Sequence, residues 1–194
     1  MIYNIIQPPF TLKFQEMSKT ELKAYFQWFL DTIPVRIREL SEVIRQTPGF
    51  SAWDPDCSPA SLDLLGGWFS TQFATRPRTN EEIRELGAKS SFPIPISGNE
   101  LENRTFSLAM DIGMYLSQVF LKQYPSLHWE QPFGNKKFVD YGQPVLVPFK
   151  PAPFNPVRMM VTLAYGLSTK TKSGEKLREI YEIWSQLVSH KVSR

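Results

Sequence analysis

His128, Glu130, Asp140, Lys136 and Cys57 are side chains able to move a proton or attack a carbonyl, and four of these five fall within residues 127–156, LHWEQPFGNKKFVDYGQPVLVPFKPAPFNP. Strand alternation there sends His128 and Glu130 to one face and Leu127 and Trp129 to the other. A histidine base oriented by a carboxylate results if the strand register brings Asp140 or Lys136 beside that polar pair. An antiparallel sheet with one solvated face produces the same alternation without any chemistry, so the register decides between the two. Cys57 immediately precedes Ser58-Pro59, a good N-cap and first-turn pair, and a helix N-terminus favours a thiolate. A Cys57–His128 nucleophilic pair is the main enzymatic scenario, although no local signature surrounds Cys57 and an incidental loop thiol is the simpler account.

Arg158 falls in the first turn of a helix opened by Asn155-Pro156, where a cation opposes the helix dipole and needs a carboxylate, a ligand or water. Asp111, Glu130 and Asp140 are its candidate partners. Trp129, Tyr141, Phe149 and Phe154 accompany these groups; large rings of this kind fill cores and also form interface hot spots, so Trp129, Glu130, Tyr141, Phe149, Phe154 and Arg158 make up the candidate binding set. One Cys and two distant His provide no metal-ligand spacing. Asp54 and Asp56 in WDPDC lack the glycine and the distal glutamate of a calcium loop, and Gly66-Gly67 lacks the lysine of a phosphate loop. The reading therefore assigns no metal and no cofactor. His190 reads as a favourable charge near the end of the last helix.

Helices must position these groups. Ser18-Lys19-Thr20-Glu21 has the form of a capping box, and Leu22, Tyr25, Phe26, Phe29 and Ile33 recur behind it at helical spacing. Pro34 predicts a kink or a fresh start before the stripe resumes at Ile37, Leu40 and Ile44. Arg36, Arg38, Glu39, Glu42 and Arg45 read as a solvated face of alternating charge. Further helices are expected at about 58–73, 99–124, 155–167 and 175–192. Gly66 and Gly67 together weaken the second by about 2 kcal/mol, so either another element packs tightly on them or that helix breaks. Residues 75–99 read as a long surface excursion, with Thr79–Glu82 able to cap a short helix and residues 92–95 extended. The 99–124 segment is the central helix, apolar over a wide arc, with Asn103, Ser107, Asp111, Gln118 and Lys122 on its polar stripe. Residues 128–149 read as a three-stranded antiparallel meander over about 128–131, 136–141 and 145–149, its last strand short or at an edge because of Pro144 and Pro148.

A chain of 194 residues that is 42% hydrophobic and 13% aromatic is sized for one well-filled domain, here spanning 1–194. The net charge of +3 is spread among interleaved acids and bases, which argues against a nucleic-acid partner. A lone cysteine fits a reducing compartment, and the N-terminal MIYNIIQPPF has neither the basic nor the apolar region of a secretory signal. A cytoplasmic protein without membrane association is the expectation, its oligomeric state left open.

Two stretches, SLAMDIGMYLSQVFLK running into LHWE and FVDYGQPVLVPF followed by NPVRMM, resemble a pattern in small uncharacterised bacterial proteins, some of which resemble immunity proteins of toxin systems. The resemblance covers roughly a third of the chain and carries no catalytic residue across. It implies a bacterial cytosolic protein in which central helix, meander and following helix form one packed unit. The expected fold is a mainly helical α+β domain bearing a small meander. The expected function is a non-enzymatic, immunity-like module that binds another protein; the alternative is a small hydrolase or transferase using His128, Glu130, Asp140 or Cys57 between meander and helices.

Overall fold

The computed structural model describes residues 3–89 and 96–188. The expectations for residues 92–95, for His190 and for the last residues of the final helix lie outside that range. Among the described residues six helices and four short strands form a mainly helical α+β structure: α1 Lys19–Arg45, α2 Ser61–Phe69, β1 Thr75–Pro77, α3 Asn80–Lys89, β2 Asn99–Leu101, α4 Asn103–Gln123, β3 His128–Glu130, β4 Val145–Val147, α5 Pro156–Ser168 and α6 Lys176–Ser185.

The local signals near the helix starts translate directly. Ser18 Oγ accepts from the Glu21 amide at 3.2 Å while the Glu21 carboxylate accepts from the Ser18 amide at 2.8 Å, so the capping box opens α1 as read. Thr79 and Glu82 exchange the same pair of bonds at the start of α3. Asn155 Oδ1 accepts from the Arg158 amide at 2.9 Å and opens α5 with Pro156 at its first position. Pro34 does not divide α1, which runs as one helix with the proline in its interior. The lost hydrogen bond costs about 3 kcal/mol, and Leu22, Tyr25, Phe29, Ile33, Leu40 and Ile44, all buried along one stripe on both sides of the proline, offset it.

α4 is buried nearly all round and packs most extensively on α5 and α1. Gly113 makes the α4–α5 approach close, since a side-chain carbon there would stand 2.9 Å from the Val157 Cα. One apolar cluster gathers Trp53, Leu65, Trp68, Tyr115, Phe120, Phe154 and Leu177 around α4, and a second joins Met17, Leu22, Tyr25, Phe29, Met114 and Tyr141 under the first half of α1.

The three-stranded meander is not formed. β3 and β4 pair antiparallel as a two-stranded sheet, His128 opposite Val147 and Glu130 opposite Val145, while the expected middle strand at 136–141 is a succession of turns. The amides of Phe138, Tyr141 and Gln143 donate to Asn135, Phe138 and Asp140 carbonyls at 2.9, 3.0 and 3.0 Å, and Asn135 Oδ1 takes the Lys137 amide at 2.9 Å. Donors committed three residues back cannot serve a ladder. Asp140, Tyr141 and Gly142 are also buried in succession, which the period-two alternation of a strand forbids. β4 is short, as expected, but stops at Val147 ahead of Pro148 instead of reaching residue 149, and Leu146 exchanges two backbone bonds with Phe154, which ties the strand to the entrance of α5. The 99–124 helix begins later than read, because residues 99–101 pair with Thr75–Pro77 as a second two-stranded sheet.

Gly66-Gly67 resolves in favour of close packing. A Cβ at Gly66 would lie 2.2 Å from the Gly174 carbonyl oxygen, just ahead of α6, whereas one at Gly67 meets only the Phe50 ring at 3.8 Å. Replacing Gly66 with alanine should cost about 1–3 kcal/mol of stability, because backbone must move to admit it. Gly67→Ala should be neutral or stabilising by up to about 1 kcal/mol, since only helix propensity changes there. Urea unfolding of the two variants checks the contrast, and equal effects would refute the packing argument.

Candidate functional site

Strand alternation at β3 holds: His128 and Glu130 share the exposed face, with Nε2 and Oε1 3.1 Å apart and both side chains more than half exposed. Trp129 turns the other way, half-buried against the Phe29 ring at 5.3 Å. Neither Asp140 nor Lys136 joins the pair. Lys136 Nζ instead donates to the Gln15 carbonyl at 3.2 Å and lies 5.9 Å from the centre of the Tyr141 ring.

Asp140, within the 132–143 loop, is buried and faces the start of α5. Its Oδ1 accepts from Asn155 Nδ2 and Arg158 Nε, each at 2.8 Å, and its Oδ2 accepts from Arg158 Nη2 at 2.9 Å. The carboxylate thereby sits near the positive end of the α5 dipole and neutralises the cation whose place in that first turn the sequence left unexplained. Asn155 Nδ2 also reaches Gln143 Oε1 at 3.0 Å, so Asp140, Gln143, Asn155 and Arg158 fasten the loop to the helix as one polar knot. Both Asp140 oxygens are occupied by these donors; this carboxylate is a structural fastener rather than a partner for His128.

Cys57 has a left-handed backbone, φ 55°, and its amide donates to the Tyr115 hydroxyl at 3.1 Å. The Tyr115 hydroxyl also bonds Ser61 Oγ at 2.6 Å, which ties the loop before α2 to α4. The thiolate expectation is corrected: partial burial pushes the thiol up, the nearby Lys122 opposes that without overcoming it, and α2 begins only at Ser61. No contact joins Cys57 to His128 among the described residues.

Tyr141, Phe149 and Phe154, placed in the binding set from the sequence, are core residues. Phe149 packs edge-on against Phe120 at 5.5 Å, Phe154 lies 4.6 Å from the Trp184 ring, and Tyr141 meets Phe133 at 6.2 Å. Of the candidate set, Glu130, part of Trp129 and the outer edge of Arg158 reach the surface.

The most concentrated polar chemistry lies where the sequence reading did not place it. Arg36, read as solvated, is buried in α1 and grips Asp111 of α4 with Nε and Nη2, each at 2.8 Å. The same Nη2 reaches the Tyr3 hydroxyl and the Asn4 carbonyl, both at 2.9 Å. Tyr3 donates to Asp111 Oδ2 at 2.5 Å and meets Ser107 Oγ at 2.6 Å, and Ser107 takes the Ile6 amide at 2.8 Å. Burial pushes the Asp111 carboxyl up while the Arg36 hydrogen bonds pull against it, and burial likewise raises the Tyr3 hydroxyl. The network pins residues 3–6 across the α1–α4 crossing. A charged residue in a helix looks the same in sequence whether its partner is water or a carboxylate 75 positions away.

Beside this network the 5–12 segment and the first turns of α4 enclose a cleft of about 350 Å³ lined by Ile5, Ile6, Pro8, Leu12, Phe106 and Met110, with Gln7, Asn103 and Ser107 as its polar members. Its lining holds no acid, base or thiol, and Ser107 is already committed to Tyr3 and Ile6. Such a cleft can bury an apolar group but cannot transfer a proton.

Comparison with family models, with curated proteins and with solved structures finds no match for the chain. Among the described residues no His, Cys, Asp or Glu side chains gather in a group of three that could hold a metal ion. No described helix is long and apolar enough to cross a membrane.

Two outcomes follow from this geometry. Arg36→Met should cost about 3–5 kcal/mol in urea unfolding by leaving Asp111 buried without its cation, and the double variant Arg36→Met/Asp111→Leu should be more stable than that single one. An additive double variant would sink the pairing argument. Cys57 should react with an alkylating agent at pH 7 more slowly than free cysteine, because a raised thiol holds less thiolate at that pH; faster reaction would restore it as a nucleophile.

Proposed function

We propose that this chain is a non-enzymatic protein-interaction module, of the immunity-like kind to which the central-helix and 138–160 stretches bear resemblance. One observation carries the reading: every group nominated for chemistry is engaged in a structural contact or stands apart from the others. Asp140 is clamped by Arg158 and Asn155, Cys57 is half-buried with its thiol pushed up, and the His128–Glu130 pair faces open solvent. General acid–base or nucleophilic catalysis needs such groups converging on one reacting atom in a water-poor site. Binding needs only a shaped, chemically mixed surface, and the 128–143 region supplies one through His128, Glu130, Lys136, Lys137 and Val139, all exposed.

Tagged chain purified natively from its own cells should bring down one partner in stoichiometric amount. Purification that yields none, where control baits recover theirs, overturns the reading. So does turnover of generic ester or phosphoester substrates that disappears in His128→Ala, since that substitution touches only an exposed pair worth roughly 0–1 kcal/mol to the fold.

A further inference from the structure

We propose that the surface formed where residues 13–23 meet residues 131–143 is the docking face for an acidic segment of a partner protein; the partner's class rests on the interaction-module reading above. The argument begins with charge. The chain has 22 cationic and 19 anionic side chains, a net of +3. The two stretches contain Lys13, Lys19, Lys23, Lys136 and Lys137 against Glu16, Glu21 and Asp140, and Asp140 is neutralised by Arg158. The two stretches thus carry a net of +2, and together with Arg158, which pairs with Asp140, they hold six cations against three anions, leaving the rest of the chain balanced at 16 cations and 16 anions.

Sequence separates the stretches by more than a hundred residues, and the fold joins them. Gln131 Nε2 donates to the Leu22 carbonyl at 2.6 Å, Lys136 Nζ to the Gln15 carbonyl at 3.2 Å, and Gly142 packs so closely on the Leu22 side chain that a Cβ there would approach it to 2.7 Å. All five lysines are exposed. Among the described residues a salt bridge holds only Lys13, at 3.6 Å from Glu16, while the Glu21 carboxylate is occupied by the Ser18 amide. Lys19 stands in the first turn of α1, where a cation opposes the helix dipole, so helix stability does not account for it. Leu12, held at φ 57° and 40% exposed, precedes Lys13, and Val139, 52% exposed, follows Lys137.

Cations interspersed with exposed aliphatic side chains suit an acidic protein segment, which presents carboxylates and apolar contacts together. A single-strand nucleic-acid site would offer exposed stacking rings along a basic groove, whereas Phe14 and Phe133 here are partly covered by their own neighbours. Three net charges attract an anionic leaflet only weakly. The lysines would act chiefly on the association rate, steering an acidic partner before the closer contacts form.

The test titrates the whole chain with polyglutamate peptide, with single-stranded DNA and with vesicles of phosphatidylcholine and phosphatidylserine. The patch variant is Lys13→Glu/Lys136→Glu/Lys137→Glu, and the control, Arg38→Glu/Arg84→Glu/Lys150→Glu, makes the same net charge change at exposed sites elsewhere. Polyglutamate should bind with an affinity that falls as salt rises, drop by about tenfold or more in the patch variant, and change by less than about threefold in the control. Equal losses in the two variants, no binding of polyglutamate, or patch-dependent binding of DNA or vesicles in preference to polyglutamate would each overturn the assignment. A captured stoichiometric partner that binds the patch variant as well as the parent chain would overturn this face and leave the interaction module standing. Patch-dependent polyglutamate binding with no captured partner would do the reverse.

Discussion

The structure depends on one buried ion pair. Arg36 and Asp111 meet where the two longest helices cross, α1 with its interior proline and α4 with almost no exposed face. Two opposite charges withdrawn from water are tolerable only when each finds several well-placed partners; here Tyr3 and the Asn4 carbonyl supply them, and Ser107 in turn holds the Tyr3 hydroxyl. Apolar stripes alone would permit α1 to slide or rotate on α4. A bidentate guanidinium–carboxylate contact admits one register, and by recruiting Tyr3 it also decides where the chain's first described residues lie.

Around that crossing, close backbone approaches and polar knots do the positioning. Gly113 admits the start of α5 to α4, and Gly66 admits the turn before α6 to α2. Asp140 and Arg158 then hold the 132–143 loop on the α5 N-terminus, and the same loop sets Lys136 against the Gln15 carbonyl just ahead of α1. Fold and surface chemistry are thus linked. The carboxylate most plausible as a catalytic orienter from sequence is the one that fastens the loop bearing the lysines.

The large rings divide between interior and surface by the same logic. Phe120, Phe149, Phe154, Tyr181 and Trp184 form a chain of tilted and edge-on contacts linking α4, the segment after β4 and α6. Phe120, Phe149, Phe154 and Tyr181 are buried and contribute to the core, while Trp184 keeps part of its surface exposed. The surface of the turns instead carries charges and small aliphatic groups that stand in water.

Much of the local chemistry, though not the later starts of α2 and α4, was legible in the sequence: the caps at Ser18, Thr79 and Asn155, the apolar stripes, and the alternation that puts His128 and Glu130 on one face. Each depends on residues within a few positions of one another, and short-range hydrogen bonds and side-chain periodicity operate whatever surrounds them. Tertiary structure alone decided that Arg36 is buried, that Asp140 serves Arg158 instead of His128, that residues 136–141 turn instead of pairing, and that two lysine-bearing stretches become one surface. Most of those outcomes depend on which groups distant in the chain meet within a dense interior. A polar side chain carries the same identity whether it meets water, a buried counter-charge or a ligand, so only the packed molecule distinguishes them.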